Sequence, residues 1–170
     1  MKNIRLLTYH VNQDDPKKCT AKKLSRFGLA DITNSLRKIP RRAIILNPSA
    51  SLVFAPEDVD IAMRYGIVAV DCSWKNVKQV FSSMKRFPNH RYLPFLIPVN
   101  PVNYGKPMQL STLEAFIASL YIIGMVEQAE DLSRLYKWSP HFIELNRKFL
   151  DAYRNAKSRE EIIDIVDDMI

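Results

Sequence analysis

Two runs of four residues set the limits of this fold. AIIL (Ala43–Leu46) and IVAV (Ile67–Val70) are wholly apolar, with no polar residue in alternation. A strand with one face in water alternates, whereas a strand covered on both faces of a parallel sheet reads as a continuous apolar run. Between them PEDVDIAMRY reads as a helix, with Pro56 at an N1 position, acids in the first turn and Gly66 beyond its end. IRLLTY (Ile4–Tyr9) reads as a further strand and RYLPFLIPV as a strand running into a turn. CTAKKLSRFGL and WKNVKQVFSSM read as short helices. In the first of these Ala21, Leu24 and Phe27 share one side, and Gly28 stands at the C′ stop. The alternation predicts an α/β sheet whose central strands are parallel and covered on both faces.

After about residue 110 the strand signal ends. STLEAFIASLYIIGM opens with Ser111 and Glu114 at capping-box spacing, and SREEIIDIVDDMI repeats the device with Ser158 and Glu161. EQAEDLSRLYKW and SPHFIELNRKFLDAYRNA lie between them as further helices. The expected organisation is an α/β unit over 1–92 and a unit over 93–170 made of a proline-rich loop and helices. That loop, FLIPVNPVNYGKPMQLS, holds three prolines, two asparagines and a glycine in an apolar setting. Such residues fix a backbone path, so it reads either as a functional loop or as a rigid connector.

The charge is unevenly placed. Of a net +7, residues 1–42 carry +8 and the remainder −1. Lys17, Lys18, Lys22, Lys23 and Arg26 form the densest part, and Lys18, Lys22 and Arg26 stack at four-residue spacing. The asymmetry fits a polyanion such as nucleic acid, and equally a solvated basic face. No apolar run approaches the ~20 residues of a membrane span. The N-terminal residues lack the apolar core of a signal peptide. Two cysteines, Cys19 and Cys72, form neither a disulfide framework nor a metal motif, and a cytoplasmic location is expected.

Ligands of open parallel sheets lie at the carboxyl ends of the strands. There AIIL runs into Asn47-Pro48, and IVAV into Asp71-Cys72-Ser73-Trp74. An indole beside exposed backbone suits an adenine-type base. There is no G-x-G-x-x-G and no Walker lysine motif, which argues against a Rossmann dinucleotide site or a P-loop. His10, His90 and His141 stand in no local triad or metal-ligand spacing.

Five stretches, in this order, carry a family resemblance: DPKKCTAKKL, RAIILNPSA, GIVAVDCSW, RYLPFLIPVNPVNYGKPMQLSTLEAF and LYKWSPHFIELNRKFLDAY. Together they span nearly all of residues 14–155, and the chain resembles the ribosome-biogenesis aminocarboxypropyltransferases that modify small-subunit rRNA, in their compact archaeal form. The resemblance implies S-adenosylmethionine as donor and a SPOUT-like knotted sheet domain with an all-helical C-terminal half. It implies transfer of the 3-amino-3-carboxypropyl arm to N3 of a uridine-type nucleotide, N1-methylpseudouridine in eukaryotes. The partner is then small-subunit rRNA or a pre-ribosomal particle, and a monomer is expected because the helices cover the surface across which SPOUT enzymes pair. Alternative functions are a SPOUT-type RNA methyltransferase and a non-catalytic assembly factor.

On this reading Leu46, Pro48 and Trp74 hold the adenine, with Val70 and Asp71 near the ribose and main-chain contacts from Leu93 and Leu96. Trp74 and Val77 wall off the donor methyl group; the plainer role for Trp74 is a core anchor. Ser111 and Thr112 open a helix whose free N–H groups suit the arm's carboxylate, or form only a cap. Thr20 reaches the donor by analogy with the family. Asp71 is a general base for the N3 proton, a ligand of the arm's ammonium group, or a cap of the next helix. Lys17, Lys18, Lys22, Lys23 and Arg26 contact rRNA phosphates, with Arg37, Lys38, Arg41 and Arg42 extending the surface.

Overall fold

The computed structural model describes residues 2–11 and 20–170. The apolar runs become a five-stranded, all-parallel sheet in the order β2-β1-β4-β3-β5. β1 is Leu6–His10, β2 Asp31–Thr33, β3 Ile44–Leu46, β4 Ile67–Asp71 and β5 His90–Arg91. β2 escaped the sequence reading because three residues, one of them exposed, carry no periodic signal. Seven helices are described: α1 Thr20–Arg26, α2 Val59–Tyr65, α3 Val77–Ser82, α4 Thr112–Ile122, α5 Val126–Ser133, α6 Pro140–Arg154 and α7 Arg159–Met169. Short 3-10 turns cover Pro56–Asp58 and Trp74–Asn76.

Strand alternation sends successive residues of β3 and β4 to opposite faces. Ile44, Leu46, Ile67 and Ala69 join a large cluster that includes α1 and α4 to α7. Ile45 and Val68 join a smaller one with Val80, Met84 and Phe87. Both faces are therefore covered, which is why neither run alternates. Gly66 admits no side chain: at φ 89 it caps α2 just before β4, and a Cβ there would lie 2.8 Å from the Arg5 carbonyl oxygen.

α1 ends one residue earlier than the apolar spacing suggests. The Gly28 N–H donates to the Ser25 carbonyl (3.0 Å) and the Leu29 N–H to the Leu24 carbonyl (2.9 Å), with Gly28 at φ 68. This is a Schellman stop. It turns Phe27 outward, 64% exposed, so Phe27 does not join Ala21 and Leu24 in the core.

Buried side chains stitch the later helices to the sheet. The Gln128 amide on α5 accepts from the Ile4 N–H and donates to the Ile4 carbonyl, both at 2.8 Å, as a neighbouring strand would. Asn146 on α6 does the same for Ile97, again at 2.8 Å twice. Asp58, fully buried, accepts from Arg91 Nε (3.1 Å) and from both terminal nitrogens of Arg159 (2.7 and 2.6 Å), tying the start of α7 to the first half of the chain.

Candidate functional site

Sheet order places the site. The chain runs from β3 inward to β4, then back over β3 to β5, so its direction reverses at the β3–β4 pair. Carboxyl ends at such a reversal open a crevice where ligands bind. Leu46 ends β3 there, followed by Asn47 and the exposed Pro48, and Asp71 ends β4.

Asp71 has a partner that sequence spacing hides. His10, the last residue of β1, lies in register opposite Asp71. His10 Nδ1 is 3.0 Å from Asp71 Oδ2, with the side chains 4% and 17% exposed. An ionised carboxylate only accepts, so Nδ1 carries the proton and donates it. The pair is held by two adjacent parallel strands, so its geometry is as rigid as the sheet. No signal in the local sequence marks His10, which stands 61 residues away; only the pairing of β1 with β4 brings it in. On the same strand, two residues back and on the same face, Thr8 is fully buried and its hydroxyl has no hydrogen-bond partner among the described residues.

Ser73, two residues after Asp71, closes the turn that follows β4. The Asn76 N–H donates to the Ser73 carbonyl (3.0 Å) and the Asn76 amide to Ser73 Oγ (3.2 Å), closing the 3-10 turn Trp74–Asn76. Trp74 opens that turn, and the half-buried Val77 opens α3 directly after it. Val70 is half-buried on the opposite sheet face from His10 and Asp71.

Ser111 is the N-cap of α4 as the spacing predicts. Its hydroxyl accepts from the Glu114 N–H (3.2 Å), and its own N–H donates to Glu114 Oε1 (3.0 Å). Glu114 does more than the capping box requires. Fully buried, it also accepts from the Val99 N–H (2.7 Å) and from the Asn100 amide (2.6 Å), locking the proline-rich loop onto α4. Thr112 is half-buried at the first position of α4. Leu93 is half-buried, and Leu96 is fully buried, with its carbonyl accepting from the Met108 N–H (3.0 Å). Met108 sits at φ 71, a conformation that a side chain makes costly, and the loop exposes Val102, Tyr104 and Met108.

Thr20 opens α1, half-buried. Of the basic residues, Lys17 and Lys18 lie outside the described residues, as does Cys19. Lys22 is half-buried and Arg26 exposed. Lys23 places its ammonium 3.9 Å from the centre of the Tyr136 ring, which stacks on Trp138. That cation–π contact joins the basic helix to the segment between α5 and α6.

The arrangement defines a class: a parallel α/β protein with a strand-order reversal, a buried His–Asp pair at the carboxyl ends of two central strands and a proline-rich loop clamped to α4. Relatives narrow the class. The family model described as ribosome biogenesis protein, C-terminal, matches residues 44–170. The 16S rRNA aminocarboxypropyltransferase of Methanothermobacter thermautotrophicus is 46% identical over 95% of this chain and 96% of its own length. That of Methanocaldococcus jannaschii is 45% identical over 98% and 96%. The structure of the SAM-dependent rRNA:acp-transferase Tsr3 from Vulcanisaeta distributa superposes with a TM-score of 0.88 at 42% identity, covering 95% of this chain and 88% of that one. The chain belongs to the 16S rRNA aminocarboxypropyltransferase family. A shorter match, to a possible Fer4-like domain in RNase L inhibitor, covers residues 4–38. Those residues hold one cysteine, Cys19, where a ferredoxin-type cluster takes four thiolates, so the likeness there is one of sequence without the ligands.

Proposed function

We propose that this chain transfers the 3-amino-3-carboxypropyl group of S-adenosylmethionine to small-subunit rRNA during ribosome biogenesis, at N3 of a uridine-type nucleotide. The observation that carries the reading is the near full-length likeness to the SAM-dependent transferase structure, TM-score 0.88 at 42% identity. The residues of the crevice fit the donor by their chemistry. A carboxylate stands ready for a cationic group, the apolar Leu46 ends the strand beside it, and the buried Thr8 hydroxyl lies one step deeper without a partner among the described residues.

S-adenosylmethionine, when bound, supplies a sulfonium whose three attached carbons are electrophilic, so choosing the arm over the methyl is a matter of orientation. Trp74 and Val77 guard the methyl side, from their places at the turn after β4. Leu46 and Pro48 flank the adenine, Leu93 and Leu96 offer main-chain contacts, and Val70 lies by the ribose. Thr20 and Thr112 bind the arm. Ser111 contributes little there, since its hydroxyl is engaged in the cap and the Glu114 charge opposes a second carboxylate at the same helix end. Asp71 takes the N3 proton of the acceptor as N3 attacks, and the Nδ1–H of His10 fixes one oxygen of that carboxylate for the task. The basic segment around Lys17, Lys18, Lys22, Lys23 and Arg26 holds the RNA backbone without reading its sequence.

The SPOUT-type knot belongs to the same reading. It is supported by the parallel sheet and by the way α4 and α6 side chains hold residues 95–99. The division into 1–92 and 93–170 belongs to this reading as one of roles, while a single apolar cluster runs through both parts. No helix among the described residues is long and apolar enough to cross a membrane. We place the protein in the cytoplasm as a monomer.

Incubation of the protein and 16S rRNA with S-adenosylmethionine, labelled separately in the methyl group and in the carboxyl group, tests the function. Carboxyl label alone should enter the RNA. Methyl label in the RNA makes the protein a methyltransferase, and no label from either makes it an assembly factor.

A further inference from the structure

The charge balance of the later chain conceals a second basic region. From Cys72 to Leu113, 42 consecutive residues contain no aspartate or glutamate, and they hold six lysines and arginines. Arg91 is buried against Asp58. The other five, Lys75, Lys78, Lys85, Arg86 and Lys106, are all exposed. The stretch follows directly on the carboxyl end of β4, which Asp71 closes.

A cavity of about 500 Å³ lies within this region, between α3 and the loop after β3. Lys78 and Lys85 bring ammonium groups to it, Val77 and Phe81 give it an apolar wall, and none of its lining residues is acidic. Neither lysine makes an ion pair among the described residues. Its polar corner is oriented in advance. His90 Nε2 faces the Met84 carbonyl at 3.0 Å, and a carbonyl only accepts, so Nε2 carries the proton. Nδ1 is then the acceptor for the Asn47 amide at 3.1 Å, and Asn47 Oδ1 in turn accepts from the Ser49 N–H at 2.9 Å. The Asn47 side chain is thereby fixed with a known face toward the cavity, directly after Leu46 on β3.

Uncompensated ammonium groups, an aromatic edge and an oriented amide suit an anion attached to a flat polar ring. We infer that this cavity is a second RNA-binding site, which holds a nucleotide of the rRNA strand flanking the acceptor, with Lys78 and Lys85 on its phosphates and Phe81 against its base. The inference rests on the proposed function, because it extends the RNA path from the N-terminal basic segment across the crevice to α3. The two surfaces grip the strand on either side of the reacting nucleotide, which is how a rigid site can place N3 without reading a sequence.

The test is the double variant Lys78→Glu/Lys85→Glu, with 16S rRNA binding measured across a salt series and S-adenosylmethionine binding by calorimetry. Loss of two phosphate contacts should lower the slope of log K against log salt by about 1.4–1.8 and weaken RNA binding at least ~10-fold near 0.1 M salt. Affinity for S-adenosylmethionine should stay as in the unsubstituted protein. Phe81→Ala should weaken RNA binding with the slope unchanged. An unaltered RNA affinity and slope overturns the inference. So does a loss of S-adenosylmethionine affinity at constant slope, which assigns the cavity to the donor. Failure of the underlying function shows differently, as absence of arm transfer by the unsubstituted protein. Both lysines are exposed, and the thermal melt of the double variant confirms that it folds.

Discussion

His10 and Asp71 make the chemistry of this crevice more definite than either residue does alone. A lone carboxylate at a strand end rotates between solvent and site. One held at 3.0 Å by a buried imidazole keeps an oxygen in place. Asp71→Asn should lower the single-turnover rate by about 10²–10⁴-fold while calorimetry finds S-adenosylmethionine affinity intact, the loss expected of a general base. If affinity falls instead, Asp71 binds the arm's ammonium group. His10→Gln keeps a donor in the region but not its position. It should cost about 10- to 100-fold in kcat, from the ~1.5–3 kcal/mol of one hydrogen bond to a charged group, with KM for RNA unchanged. Asp71 was legible because it follows an apolar run directly. His10 was not, because its meaning comes from a strand pairing 61 residues distant.

The proline-rich segment shows how an element can be strand-like without a strand beside it. Its alternate residues find partners on helices: the Phe95 carbonyl accepts from the Tyr153 hydroxyl (2.8 Å), Ile97 pairs with the Asn146 amide, and the Val99 N–H donates to Glu114. The expected strand from Arg91 onward therefore pairs with β3 as far as Arg91, adds one parallel bridge from Tyr92 to Val53, and continues as a chain clamped by side chains. Ser111 and Glu114 announce a helix start at three-residue spacing. Nothing local shows that Glu114 also holds Val99 and Asn100, since those bonds exist only once the loop folds back on α4. Glu114→Ala leaves the Val99 N–H buried and unpaired. We expect a loss of about 3 kcal/mol in denaturant unfolding, from hydrogen bonds to a charged group worth ~1.5–3 kcal/mol each. Limited proteolysis should then cut first within 97–110, and S-adenosylmethionine binding should weaken more than that of a surface variant of equal stability.

At the scale of the whole molecule, two buried polar contacts couple the sheet to the last helices, and each makes a separate prediction. Asp58→Ala strands the buried Arg91 guanidinium and frees Arg159, so chemical denaturation should show a loss of about 3–5 kcal/mol. Tyr153 donates its hydroxyl proton to Phe95 from a fully buried position, and burial pushes its ionisation well above the usual tyrosine range. The unfolded chain then gives up that proton at lower pH than the folded one does. The contribution is whole below about pH 10 and declines as pH rises beyond it. Melts of the protein should fall along this alkaline limb. Tyr153→Phe, lower by about 1 kcal/mol at neutral pH, should flatten it.

Short-range chemistry settled a good deal of this protein. Unbroken apolar runs required a parallel sheet covered on both sides, capping residues set where α4 and α7 begin, and a carboxylate follows IVAV directly at the end of a central strand. These follow from neighbours within a few residues, whose backbone and side-chain preferences act at once. Folding in three dimensions decided which strands are adjacent, and with that whether Asp71 meets a histidine. It also decided which helices seal the proline-rich loop, and which lysines face one cavity. Those outcomes rest on contacts between residues 14 to 124 positions apart, whose distances only the closed core determines.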